Sequence, residues 1–295
     1  MQLSSDFFGD WLNILKEILR NHWGYDISGI KEEELPYLYF NAEKRRPDQR
    51  IRSVEISDIF TCPVNLQAGW ERLKSVVESG EDITPNLSKL VGKLNNKDSL
   101  LNDWGVHHFH LGESLDGNFI ERTGPLLFAL ITKNKFYAIN VFRHGAWADQ
   151  DIVEIIHRNW PDVVSHYQIK NVISATELSE SERLTLRSKN LNNFSTVSDG
   201  TIYAPIGDGV VSSGYNARSI INTDRQRSML RNLEEHLQSQ LVNLKDTLCQ
   251  HGYLGEEYIK ATLEITDSKY LAIFPDYNVA VTLIDNAQKL PYSET

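Results

Sequence analysis

The segment His107-His108-Phe109-His110, followed by Arg122 and then by Arg143-His144-Gly145, carries the residue types best suited to chemistry in this chain. Counting His157, five of the nine histidines fall between residues 107 and 157. An imidazole titrates near neutral pH, so it can give or take a proton or bind a metal ion. Side chains alternate across a strand, which puts His108 and His110 on one face and His107, Phe109 and Leu111 on the other. Phe109 and Leu111 mark the core side. His108 and His110 should therefore project together toward a cleft or solvent, with His107 as a structural, hydrogen-bonded histidine. His144 sits just past a strand-like segment, where the chain can present a side chain to a ligand. Arg122 and Arg143 can each face a phosphate or form a surface ion pair. His157, beside Glu154 and Arg158 on a helix, reads as ordinary surface.

These residues need a scaffold, and from residue 105 the pattern is one of strands: 106–111, 125–131 and 135–142, with turns at Asp116-Gly117 and Lys133-Asn134-Lys135. The run Leu126-Leu127-Phe128-Ala129-Leu130-Ile131 is apolar on both faces and should be a covered central strand. Asp149 can cap a helix that turns Ile152, Val153, Ile155, Ile156 and Trp160 inward and stops at Pro161. Upstream, residues 4–22 have helical spacing behind Ser5 or Asp6. Residues 37–40 and 54–60 read as short strands around Glu43-Lys44-Arg45-Arg46-Pro47-Asp48, a solvated turn or an RNA-backbone contact. Further helices are expected at 66–77 and from Thr84-Pro85.

Downstream, residues 167–173 can add a strand and 180–190 a charged helix. Gly207-Asp208-Gly209 with Ser212-Ser213-Gly214 superficially suggests a phosphate cradle, but it lacks the P-loop lysine and the dinucleotide-fold spacing. Leu230, Leu233, Leu237, Leu241, Leu244 and Leu248 repeat at three- and four-residue steps along 224–249. That stripe predicts a long helix packed on the body or, alternatively, a homodimer seam. Residues 258–266, 270–274 and 279–284 should form a final meander with Asp267-Ser268 as a turn. The expected fold is α+β: a mainly helical module at 1–102, a central antiparallel sheet with packed helices and the histidine site at 103–215, and a long helix with a β-meander at 216–295.

Composition limits the function classes. The 295 residues, 41% of them apolar, can bury a sizeable core. A net charge of −10, from 40 acidic and 30 basic residues, argues against a general coating for nucleic acid or membrane, leaving only a local basic cleft. Cys62 and Cys249 lie far apart, so a disulfide framework is not expected and a reducing cytoplasm suits the chain. Asp6, Asp10, Lys16 and Glu17 interrupt the N-terminal apolar residues, unlike a signal peptide. No window reaches the roughly 18 apolar residues of a membrane span.

The His-x-His-Leu run, an arginine before an all-apolar strand, a second strand ending in Arg143-His144-Gly145 and an adjoining helix resemble the core of RelE-like (BECR-type) ribonuclease toxins over residues 104–160. The segments 103–112 and 143–147 also resemble an uncharacterised bacterial family. The toxin likeness implies a small antiparallel sheet with His, Arg and aromatic site residues, and an antitoxin or ribosome as partner. The chain is about three times the usual toxin length, so its terminal regions must have roles of their own.

The chemistry is coherent without that likeness. Cleaving RNA through its own 2′-hydroxyl needs a base, an acid and a cation for the phosphorane charge. We expect a metal-independent endoribonuclease, a toxin or phage-defence effector, with His110 as base and His144 as acid. His108 belongs to the same site, Arg122 or Arg143 holds phosphate, and Tyr137 and Trp147 contact a base. No cofactor or metal is expected. Two alternatives differ in class: a hydrolase whose His108, His110 and His144, with Asp149 or Glu113, bind a metal, and a non-catalytic interaction module.

Overall fold

The computed structural model describes residues 1–172, 178–266 and 269–285. The fold is α+β, with a long helix and a β-meander toward the C-terminus. Contacts divide the chain into two units, residues 40–220 and residues 1–39 with 221–295. This differs from the three consecutive stretches expected, because the N-terminal strand Gln2–Ser4 pairs in parallel with Tyr258–Lys260. Among the described residues, no helix is long and apolar enough to cross a membrane.

The unit of residues 40–220 is built on a four-stranded sheet in the order Ser53–Ile56, Lys135–Phe142, Leu126–Ile131, Val106–Phe109. Three strands form the expected antiparallel meander, and Ser53–Ile56 adds in parallel to Lys135–Phe142. Leu126–Ile131 is covered on both faces. Val106, Phe128, Leu130 and Ile139 pack with Ile152, Val153, Ile155 and Ile156 of helix Asp151–Asn159. Phe109, Leu127, Ala129 and Phe136 pack with Trp70, Leu73 and Val77 of helix Gln67–Ser79. Each fully buried side chain of this kind contributes about 1.5–3 kcal/mol, so the two layers together fix the sheet. Helix Gln67–Ser79 comes so close that a Cβ on Gly69 would lie 1.9 Å from the Leu111 carbonyl oxygen. Only glycine fits there.

Two expectations fail in the first hundred residues. Residues 37–40 lie in a helix, Leu35–Arg45, because Leu35, Leu38, Tyr39 and Ala42 repeat at helical spacing and are all buried. The charged segment that follows is not a solvated turn. Arg45 is buried and donates to the carbonyls of Asn41 and Leu94 at 3.2 and 2.9 Å. Lys44 Nζ lies 2.8 Å from Asp208 Oδ2. Both cations are taken by the protein's own groups, so an RNA-backbone contact has no support here.

In the other unit, Asp6 caps helix Phe7–Glu17 by accepting from Gly9 N–H at 2.8 Å, and the helix buries Phe7, Trp11 and Leu15. The long helix, Ala217–Gln250, buries Leu230, Leu237, Leu241 and Leu248. Glu234, on the same helix, accepts from Ser5 Oγ and Phe7 N–H at 2.9 and 2.8 Å. The leucine stripe thus faces the core of its own unit. Thr262–Ile265, Lys269–Phe274 and Val279–Asp285 form the antiparallel meander. The expected Asp267-Ser268 turn lies outside the described residues.

Candidate functional site

Asp98 begins the site by capping helix Ser99–Trp104, its Oδ1 accepting from Leu101 N–H at 3.0 Å. Gly105 ends that helix with a left-handed φ of +69°, which lets the chain turn at once into strand Val106–Phe109. This strand is the edge of the sheet. Just beyond its end, His110 N–H donates to the Asn86 carbonyl at 2.7 Å while Asn86 Nδ2 donates to the His110 carbonyl at 2.8 Å. The pair closes the edge against the segment that starts at residue 86.

A cavity of about 290 Å³ opens between that segment and the strand. His107, His108, His110, Arg122, His144 and Trp147 line it, together with Arg45, Lys97 and Asp98. The structure therefore brings together five of the seven residues singled out from sequence: His108, His110, His144, Arg122 and Trp147. Arg143 is not among them. Its side chain is 70% exposed and sits 3.7 Å from Glu180, so it is the surface ion pair. Tyr137 is also elsewhere, buried in the core against Trp160 with ring centroids 5.0 Å apart.

Burial sets the charge state of the inner histidines. It lowers His107 to about 3, helped by the neighbouring His108, Lys44 and Arg52. It lowers His110 to about 4, helped by His108, Arg122 and His144. His108 is lowered as well, by burial first, with Asp98 opposing and His144 assisting. All three are neutral imidazoles at pH 7.

Their hydrogen bonding separates them. His110 Nδ1 accepts from the Thr123 backbone N–H at 3.1 Å, so a neutral ring carries its proton on Nε2. A protonated Nδ1 would set one N–H against another. His108 Nδ1 is buried without a hydrogen-bond partner, so no protein group fixes its tautomer. Trp147 packs 4.8 Å from the His108 ring and 5.3 Å, edge to face, from His144, with Phe128 at 5.6 Å. Its indole packs against both histidine rings and lines the cavity. Arg187 donates to the Trp147 carbonyl and pairs with Asp103 at 2.7 Å, which anchors the loop that carries Trp147.

Other sequence signals resolve into structure. His157 is no plain surface residue: Nδ1 lies 2.8 Å from Tyr203 Oη and Nε2 3.1 Å from Asp199 Oδ2. Around Gly207-Asp208-Gly209 the backbone is already bonded. Gly207 and Gly209 N–H donate to the carbonyls of Asp103 and Asn102 at 3.0 and 2.8 Å, and Asn216 Nδ2 donates to both glycine carbonyls. Such a loop has no free N–H array for a phosphate. Among the described residues, no three His, Cys, Asp or Glu side chains are grouped to hold a metal.

Sequence reasoning missed Asp98, Lys97 and Arg45. The first two were visible as a polar run, Asn95-Asn96-Lys97-Asp98, directly before an apolar helix start. Nothing in the sequence linked Arg45 to a site some sixty residues away. Comparison with family models, curated proteins and solved structures finds no match for the chain.

Proposed function

We propose that this protein cleaves RNA without a metal, at the cavity beside the edge strand. The observation that carries the reading is the convergence of His108, His110 and His144 with Arg122 around one cavity of about 290 Å³. That volume is near the lower end for small-molecule sites and suits about one nucleotide at a time. Two local cations meet the objection raised by the chain's net negative charge, since Lys97 and Arg122 line the cavity with Asp98 as the carboxylate.

The roles shift from those expected. A base must accept a proton and an acid must release one, and a ring with one nitrogen locked by a backbone N–H does neither well. His108, a neutral imidazole whose side chain lines the cavity, is the better base, and His144, exposed to solvent, the acid. In the reaction His108 takes the 2′-hydroxyl proton, the 2′ oxygen attacks phosphorus, the P–O5′ bond breaks and His144 protonates O5′. The products are a 2′,3′-cyclic phosphate and a 5′-hydroxyl. Arg122 faces the phosphorane charge. The likeness to RelE-like toxins adds that such an enzyme inhibits growth or acts in phage defence, with an antitoxin or the ribosome as partner.

The test is incubation of the purified protein with total bacterial RNA, with and without EDTA, followed by end-group analysis. Cleavage that survives EDTA and leaves a cyclic phosphate supports the proposal. Cleavage lost in EDTA moves the site to metal chemistry, and no cleavage in either condition favours a binding module.

A further inference from the structure

His110 is the most completely engaged of the cavity histidines. Its backbone N–H and carbonyl are both bonded to Asn86, at 2.7 and 2.8 Å, and its Nδ1 accepts from Thr123 at 3.1 Å. Thr123 is itself held, its hydroxyl donating to the Pro125 carbonyl at 2.8 Å. The residue is 3% exposed, yet its side chain lines the cavity, so Nε2 is the one polar atom it has left to offer. Because the Thr123 N–H occupies the Nδ1 lone pair, that atom is an N–H donor with a fixed direction. Arg122 lies twelve residues on, in the same connection that brings Thr123 to His110, and also lines the cavity, as do His144 and Lys97. Lys97 Nζ is braced on the Ser213 carbonyl at 2.5 Å.

A buried neutral donor facing a cavity with arginine and lysine on its walls is complementary to a tetrahedral oxyanion. We propose that His110 is a phosphate-binding residue, its Nε2–H donating to a non-bridging phosphate oxygen while Arg122 supplies the charge. This rests on the phosphoryl-transfer reading of the cavity, but it does not require turnover. The phosphate can belong to an RNA diester or to a free monoester, and the same three donors would meet either.

Two measurements on the full chain test it. Long-range ¹H–¹⁵N correlation on the wild-type protein at neutral pH reports which ring nitrogen of His110 carries the proton. The expected result is Nε2 protonated and Nδ1 bare, with the Nε2–H resonance moving on addition of inorganic phosphate; a proton on Nδ1 overturns the proposal. Affinity for inorganic phosphate, a 3′-nucleoside monophosphate and a dinucleoside phosphate is then compared among wild type, His110→Ala and His110→Gln. Loss of one hydrogen bond to a charged group predicts about tenfold weaker binding in His110→Ala. His110→Gln, which keeps an amide donor at similar reach, should recover most of it. Equal binding by wild type and His110→Ala also overturns the proposal. Tighter binding of the dinucleotide than of inorganic phosphate and the monophosphate assigns the site to RNA, and the reverse assigns it to a phosphate end. Phosphate binding without any RNA cleavage leaves this inference standing and removes the nuclease.

Discussion

Two histidine-bearing regions lie in the same unit and differ in what the protein does with the ring nitrogens. His157 has both nitrogens partnered, by Tyr203 Oη at 2.8 Å and Asp199 Oδ2 at 3.1 Å, and it is not part of the lining of the cavity at the edge strand. Around the edge strand, His108 keeps an unpartnered buried Nδ1 and His110, which lines the cavity, has only its Nδ1 partnered. A buried polar atom without a partner costs free energy, roughly 1–3 kcal/mol. A fold that only needed a filled core would use an apolar residue at position 108. The contrast teaches that the number of histidines in a stretch says less than how many ring nitrogens the fold leaves unspent.

The largest expected effects break the comparison most directly. Under the nuclease proposal, His144→Ala should lower cleavage by about 10²–10⁴-fold. The double variant with His108→Ala should lose little more, since groups acting in one proton-transfer step are not additive. Additive losses, measured in single-turnover assays, would mean that the two rings do not act as a pair.

Acid comes next. His107 and His110 are held at about 3 and about 4, whereas in the unfolded chain they titrate near about 6.5. As pH falls below about 6.5 the unfolded chain takes up these protons first, so stability drops until the folded values are reached and is greatest above that window. Thermal midpoints should fall between about pH 7 and about pH 4.5. A midpoint that stays level across this range contradicts the burial of these rings as neutral groups.

A smaller effect sharpens the boundary of the site. Arg122→Ala should weaken cleavage about tenfold, whereas Arg143→Ala, which removes only an exposed pair with Glu180, should leave it within about twofold. Equal losses in steady-state kinetics would place Arg143 back in the site. The smallest effect belongs to the other histidine: Tyr203→Phe should cost about 1 kcal/mol in urea unfolding and leave cleavage unchanged. A fall in cleavage there would join the two regions functionally.

Much of the fold was legible where periodicity was strong. The apolar run at 126–131, the inward stripe of Asp151–Asn159 and the leucine repeat of Ala217–Gln250 each read directly as the element found. The misses have physical causes. Leu35–Arg45 reads as a strand and a turn because Tyr37, Tyr39 and Phe40, which favour strands in isolation, lie close together in it, and tertiary packing decided otherwise. The parallel addition of Ser53–Ile56 and the pairing of Gln2–Ser4 with Tyr258–Lys260 are long-range choices that no local pattern encodes.

The site was partly legible for a related reason. Alternation singled out His108 and His110, but His107 lines the same cavity and the strand ends at Phe109, before His110, while Tyr137, on the inner side of its strand, was drawn into the core. The tautomer of His110 depends on a backbone N–H thirteen residues away, and the wall of the cavity on Asp98, Lys97 and Arg45. Those depend on how the loops close over the sheet edge.

The central claim is that RNA cleavage occurs at the cavity and nowhere else on the protein. The most direct measurement is single-turnover cleavage of one single-stranded RNA, in EDTA, by wild type, His108→Ala and His157→Ala side by side. The account predicts cleavage by wild type and His157→Ala at the same rate and a loss of about 10²-fold or more in His108→Ala. Equal rates in wild type and His108→Ala, or a loss confined to His157→Ala, would contradict it.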